Sequence, residues 1–218
     1  MTAGGQRIGR LPVITAISPD PRRPGAVRVE VDRAPFASIS QEAVTAQALA
    51  AGRELDENLR ERLGLEADVE AAFRTALRAL ERRSFGRADL GRRLRRKGHA
   101  PEAVESALQR AVALRLLDDE AFAVNYVETR SSRGRGPVRL TRDLLAMGID
   151  RRLIDRAVTA HFNDGADRSA VPLTLAGKRA AQLGDLPREV KRRRILAYLA
   201  RRGFVGREIS EMVGRVVK

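Results

Sequence analysis

Three stretches share one pattern: Leu90-Gly-Arg-Arg-Leu94-Arg-Arg-Lys-Gly98, then Leu140-Thr-Arg-Asp-Leu144-Leu-Ala-Met-Gly148, then Ile195-Leu-Ala-Tyr-Leu199-Ala-Arg-Arg-Gly203. In each, a leucine stands four residues before a glycine and an aliphatic residue stands eight before it. Beyond the glycine, Val104, Ile154 and Ile209 lie six residues on, and Leu108, Val158 and Val213 lie ten on. Apolar pairs at i, i+4 on both sides of a glycine read as helix, left-handed stop, helix, and a period of roughly 50 residues marks a repeat protein. Glycine suits the stop because the residue just past a helix often takes positive φ. A helical segment also precedes each leucine pair, at 71–82, 119–131 and 174–182. Three units of three helices are expected, each too small to bury its apolar face alone and therefore packed on its neighbours.

The chain has 218 residues, 43% of them hydrophobic, enough for real cores. Zero cysteines exclude disulfides and thiolate metal sites. No apolar run approaches the ~20 residues that span a bilayer, and the N-terminus lacks the apolar segment of a secretion signal. A soluble cytoplasmic protein is expected.

The net charge is +14, and it is concentrated. Residues 82–97 hold eight basic and one acidic side chain, 130–142 hold five and none, and 188–207 hold eight and one. These stretches exceed the whole chain's net charge, so the remainder is net acidic; residues 40–70 alone contain eight acidic and three basic groups. The positive charge follows the repeats. Such periodic potential suits a polyanion or an acidic protein surface, and arginine offers a planar fork for phosphate or carboxylate. A GC-rich genome also raises arginine content, but it explains the choice of arginine better than the clustering.

Ahead of the repeats the composition turns to β-formers. Val13, Ile14 and Ile17 precede a turn-rich stretch, Val27, Val29 and Val31 alternate with Arg28, Glu30 and Asp32, and Phe36 and Ile39 follow another turn. A small antiparallel sheet is expected. Ser40 suits the N-cap of a short helix over 41–50. Residues 1–10 read as a frayed tail and 163–171 as an exposed linker. The expected fold is mainly α: three tandem three-helix repeats in an elongated, curved array behind a small β-containing N-terminal domain. The expected boundaries are 1–65 for that domain and 66–115, 116–163 and 172–218 for the repeats.

Within the first repeat Ser84 is a candidate cap for a helix running to Lys97, and Pro101 suits the first turn of the next. On a helical wheel Leu90 and Leu94 mark the buried face, with Arg92, Arg95 and Arg96 opposite. In the third repeat Pro172 is expected to precede the first helix and Pro187 to start the middle one.

Other groups admit two readings. Asp118, Asp119 and Glu120 suggest a cation site, but nothing supplies the converging oxygens such a site requires, and an N-cap with favourable helix-dipole charges is the simpler account. His99 aligns with Ile149 and Phe204, a packing position, and His161 has no nucleophile nearby, so no catalytic role is read. Gly134 and Gly136, flanked by Arg133, Arg135 and Pro137, resemble a phosphate-cradling turn or a tight turn for close helix packing. Tyr126 reads as core rather than a base-stacking platform, because aromatic residues are only 4% of the chain, too few for single-strand recognition by stacking.

The run Asp118-Asp119-Glu120-Ala121-Phe122-Ala123, with Tyr126, Arg130, Gly134, Gly136, Pro137, Leu140, Leu144, Gly148 and Ile149, resembles the RecX family of recombinase regulators. Ser84, Leu90, Leu94, Lys97 and Gly98 look like that family's first helical unit; the third repeat matches chiefly through Arg202, Gly203 and Phe204. The N-terminal strands are similar to an extra domain that some members carry. The resemblance implies a non-catalytic regulator, without cofactor or metal, that binds RecA–DNA filaments and inhibits RecA ATPase, strand exchange and filament growth. The expected partners are the RecA filament and DNA, single-stranded or filament-bound; no membrane role is expected, and the regulator is expected to be a monomer. The candidate binding face comprises Arg92, Arg93, Arg95, Arg96, Lys97, Arg130, Arg133, Arg135, Arg139, Arg142, Lys191, Arg193, Arg194 and Arg201. The alternative is a helix-turn-helix-like DNA-binding regulator acting without RecA. Against it, the helix after Gly98 opens with Pro101, Glu102, Ala103, Val104 and Glu105, whose charges repel phosphate.

Overall fold

The computed structural model describes residues 10–163 and 170–217. Residues 1–9 of the expected tail over 1–10, and 164–169 of the expected linker over 163–171, lie outside them. The described residues form three strands and ten helices, and the chain divides into two compact units. One comprises the residues up to Arg83 with Leu90–Leu116; the other comprises Ser84–Asp89 with the residues from Leu117 onward.

In the first unit β1 (Ile14–Pro19), β2 (Ala26–Val31) and β3 (Ala34–Ser40) form an antiparallel sheet in the order β1-β2-β3. Val27, Val29 and Val31 are buried on alternate positions of β2, with Ile14 and Ile39 beside them. This is the period-2 pattern read from the sequence. Ser40 caps α1 (Gln41–Ala46), its side chain accepting from the Ala43 amide. That helix is shorter than the expected 41–50, because the chain leaves helical geometry at Ala48, which has positive φ.

The next helix, α2 (Glu57–Leu80), is longer than expected. The sequence places a helix over 71–82 after the acidic stretch of residues 40–70; instead one 24-residue helix begins within that stretch and runs through the expected 65/66 boundary. Leu59 and Leu63, one turn apart, are buried against the sheet, so this acidic segment has its own apolar stripe. The second half of α2 buries Phe73, Ala76 and Ala79 and packs on α4 (Pro101–Ala113). Between them α3 (Arg87–Arg96) buries Leu90 and Leu94 completely.

In the second unit α5 (Asp119–Ser131), α6 (Pro137–Met147) and α7 (Arg151–Asn163) enclose a core of Ala123, Val127, Leu140, Leu144, Ile149 and Ile154. Then α8 (Ala170–Gln182), α9 (Arg188–Arg202) and α10 (Arg207–Val216) enclose Ala176, Ile195, Leu199, Phe204 and Val213. Pro187 is the N-cap of α9, as expected. Pro172, expected ahead of α8, lies within its first turn, where a missing N–H costs no hydrogen bond. Gly98, Gly148 and Gly203 take φ of +90°, +85° and +92°, the left-handed stop their spacing implies.

Candidate functional site

The middle helices α3, α6 and α9 carry the cationic side chains, because their i, i+4 leucines turn one face inward and leave the arginines outside. On α3, Arg92, Arg95 and Arg96 are exposed at i, i+3 and i+4, and therefore share a face. Arg93, on another face of the same helix, and Lys97, just past its end, line a cleft against α2.

The second unit sorts its cations differently. Arg133 and Arg142 are exposed, whereas Arg135 and Arg139 are tied down. The carboxylate of Asp143, 14% exposed, accepts from Arg135 Nη1 at 2.7 Å and from Arg139 Nε at 2.9 Å. Arg135 Nη1 also donates to the Tyr126 hydroxyl at 3.0 Å, and the Arg130 guanidinium lies 5.5 Å from the Tyr126 ring centre. Tyr126 is half-buried, stacked on Phe122 with ring centres 6.1 Å apart. Sequence reasoning missed Asp143, although its i, i+4 spacing from Arg139 is an ion-pair signal. On α9, Arg193, Arg194 and Arg201 are exposed and Lys191 half-buried; Arg194 and Arg201, two turns apart, share a face. Arg202, outside the candidate face, stacks on Tyr198 at 4.9 Å and reaches the Gly134 carbonyl.

The turn before α6 serves packing. The Gly136 amide donates to the Arg202 carbonyl at 2.7 Å and the Val138 amide to the Gly203 carbonyl at 3.2 Å. A Cβ on Gly136 would lie 2.6 Å from the Gly203 carbonyl carbon and oxygen, so only glycine admits this approach. These two amides, which a phosphate cradle would need, are thus engaged by the end of α9. A related arrangement precedes α3: a Cβ on Gly86 would lie 2.6 Å from Ile149 Cδ1, and the Arg87 amide donates to Asp119 Oδ1 at 2.7 Å. The acidic cluster therefore divides its work. Asp118 Oδ1 caps α5 through the Glu120 and Ala121 amides, both at 2.9 Å, while Asp119 serves the start of α3. That helix begins at Arg87, three residues after the expected cap Ser84.

His99 is a polar bridge rather than the packing residue its repeat position suggests. Its Nδ1 lies 2.6 Å from Asp68 Oδ1 and its Nε2 lies 3.2 Å from Thr75 Oγ1, two partners on α2 that its repeat equivalents lack. His161 packs edge-on to Phe162.

Known proteins share this pattern. Regulatory protein RecX of Pseudomonas entomophila is 35% identical over 148 residues, which span 67% of this chain and 90% of that protein. The chain belongs to the RecX family. The family model described as RecX, first three-helix domain, matches residues 72–110, and that described as RecX, second three-helix domain, matches 118–158. Regulatory protein RecX of Chlorobium phaeobacteroides is 31% identical over 155 residues, 70% of this chain and 98% of the relative. A crystal structure of regulatory protein RecX superposes with a TM-score of 0.79 at 23% identity, covering 94% of this chain and all of the other, which supports a shared fold. RecX from Lactobacillus salivarius superposes at 0.60 with 22% identity, over 69% of this chain and 96% of that one. As a RecX-family member the chain is a regulatory protein. No helix among the described residues is long and apolar enough to cross a membrane.

Proposed function

We propose that this RecX-family chain is a non-catalytic, cytoplasmic regulator of RecA that binds RecA–DNA filaments and inhibits RecA ATPase, strand exchange and filament growth. The observation that carries the reading is the recurrence of exposed cations on the middle helix of each repeat: Arg92, Arg95 and Arg96 on α3, Arg142 on α6, and Arg193, Arg194 and Arg201 on α9. The repeats are the proposed modules, each contributing a modest contact to a periodic, polyanionic target. Contacts joined in one chain reinforce one another through effective concentration, so the filament binds more tightly than a single subunit. Arg135 and Arg139 contribute to this face by holding its backbone, since their guanidinium groups already serve Asp143. The test is RecA's DNA-dependent ATP hydrolysis during a titration with this protein. Suppression at substoichiometric protein is the expected result; unchanged hydrolysis together with unchanged filament lengths refutes the reading.

A further inference from the structure

The turn between β1 and β2 gathers cations that the proposed filament face does not use. A cavity of about 320 Å³ opens beside it, lined by Asp20, Arg22 and Arg23 from the turn, Arg28 from β2, and Phe36 and Ser38 from β3. Neither family-model match reaches this region, since the first begins at residue 72. Asp20 is buried and is the only carboxylate in the lining. Its Oδ2 accepts from the Ser38 hydroxyl at 2.6 Å and its Oδ1 from the Arg22 amide at 2.9 Å. Two guanidinium groups stand farther off, with Arg28 Nη2 3.4 Å from Oδ1 and Arg23 Nε 3.7 Å from Oδ2. A guanidinium carries five N–H donors, and contacts this long leave most of them unused. The Arg22 side chain is exposed and makes no ion pair among the described residues.

Three arginines therefore surround one carboxylate, and α2 feels the excess as well. The Arg74 guanidinium on that helix has its pKa pushed down, by burial first and then by Arg23, and its Nε is buried with no acceptor. Like charges held this close repel one another, and an anion bound among them relieves the repulsion. The walls are set before a ligand arrives. The Asp20 amide donates to the Ala26 carbonyl and the Ala26 amide to the Arg23 carbonyl, both at 2.9 Å, while Pro21 and Pro24 restrict the turn between them. A site so held loses little ordering entropy on binding.

The lining also selects the anion. Its cations converge on one point instead of following a track, so it suits a single anionic group better than a series of phosphates. A phosphate dianion would face Asp20, which Ser38 and the Arg22 amide keep ionised. A carboxylate carries less charge, and its plane matches the guanidinium fork. Next to the cations, Phe36 is 36% exposed beside exposed Pro35, an apolar wall of the same cavity.

We propose that this cavity docks an acidic peptide segment of a partner protein, with Arg22, Arg23 and Arg28 receiving a side-chain carboxylate and Phe36 receiving an apolar side chain next to it. The inference goes beyond the filament reading and does not require it.

The experiment titrates the acidic hexapeptide EDLEDL into the isotope-labelled full chain and follows amide shifts by NMR. Saturable shifts should cluster at residues 22–28 and 36–38, and should vanish with the amide counterpart QNLQNL. Arg22→Glu, at an exposed position, should keep the parental melting temperature and bind the peptide about three- to tenfold more weakly. Phe36→Ser should weaken binding while leaving its salt dependence unchanged. Absence of saturable shifts at these residues up to millimolar peptide, or parental affinity in Arg22→Glu, overturns the proposal. Displacement of the peptide by inorganic phosphate or oligothymidylate at lower concentration than the peptide itself assigns the cavity to phosphate and overturns it too. None of these readings involves RecA, so the filament reading stands or falls separately.

Discussion

The Gly136 amide donates to the Arg202 carbonyl over 2.7 Å, joining the start of α6 to the end of α9. Helix starts leave amides unpaired and helix ends leave carbonyls unpaired; here each supplies what the other lacks. The two helix dipoles meet with opposite partial charges, a favourable arrangement. The contact depends on glycine at both positions, because Cβ atoms on Gly136 and Gly203 would each strike backbone of the other helix.

Gly203→Ala should therefore destabilise far more than Gly98→Ala, although both glycines are left-handed helix stops. At Gly98 an added Cβ meets nothing within 4 Å, so the cost is the strained φ alone, about 1–2 kcal/mol. At Gly203 it would meet Arg139 Cβ at 2.5 Å as well, adding about 1–3 kcal/mol of overpacking. Urea unfolding of the two variants measures the difference; equal midpoint shifts would show that the α6–α9 junction yields freely.

Leu94, Leu144 and Leu199 are each fully buried at the same repeat position. Replacing any one with alanine should cost about 2–5 kcal/mol, read as a lower unfolding midpoint. A loss below about 1 kcal/mol at one site would mean that its repeat is loosely packed, as the smaller transfer cost of an accommodating site implies.

Arg139→Ala should act on stability and Arg142→Glu on binding. The first leaves Asp143 without one of its two arginines and should cost about 1 kcal/mol, kept small because Arg139 is 38% exposed. The second alters an exposed group and should leave melting unchanged while weakening filament association. Melting curves and filament co-sedimentation separate the two effects; the opposite assignment would place Arg139 at the interface.

Asp20 provides a pH handle on the N-terminal sheet. Its carboxyl lies below the ordinary carboxylate range, held there first by the Ser38 hydroxyl at 2.6 Å and then by the Arg22 amide at 2.9 Å. A depressed folded-state pKa contributes stability that is fully present above the unfolded value, about 3.9, and is lost as pH falls through the folded value. Ser38→Ala should raise the Asp20 pKa and move acid unfolding to higher pH. An NMR titration of Asp20 checks this, and an unmoved pKa would assign the effect to the backbone amide.

The repeats were legible because Leu90, Leu94, Gly98 and their counterparts are local signals, each set by contacts within a turn or two. The N-terminal sheet was legible in the alternation of Val27, Val29 and Val31. What escaped is non-local or masked by composition. The early part of α2 reads as acidic connector because the eight carboxylates of residues 40–70, five of them on α2, outweigh Leu59 and Leu63 in any charge count. Gly136 meets Arg202 only after the chain has built an entire further repeat, so no sequence window contains both. Of the candidate cations, Arg135 and Arg139 are engaged by Asp143, which looks like any surface charge in the sequence until folding places Arg135 beside it.

The central claim is that several cationic repeats engage one RecA–DNA filament together. Its most direct measurement is the affinity of the parent protein and of Arg92→Glu/Arg95→Glu/Arg96→Glu for RecA filaments on DNA and for free RecA, across a salt series. The account predicts that the parent protein binds filament more tightly than free RecA, and that the folded triple variant loses filament affinity with a flatter salt dependence. Equal affinity for free RecA and filament, or a triple variant indistinguishable from its parent at every salt concentration, would contradict it.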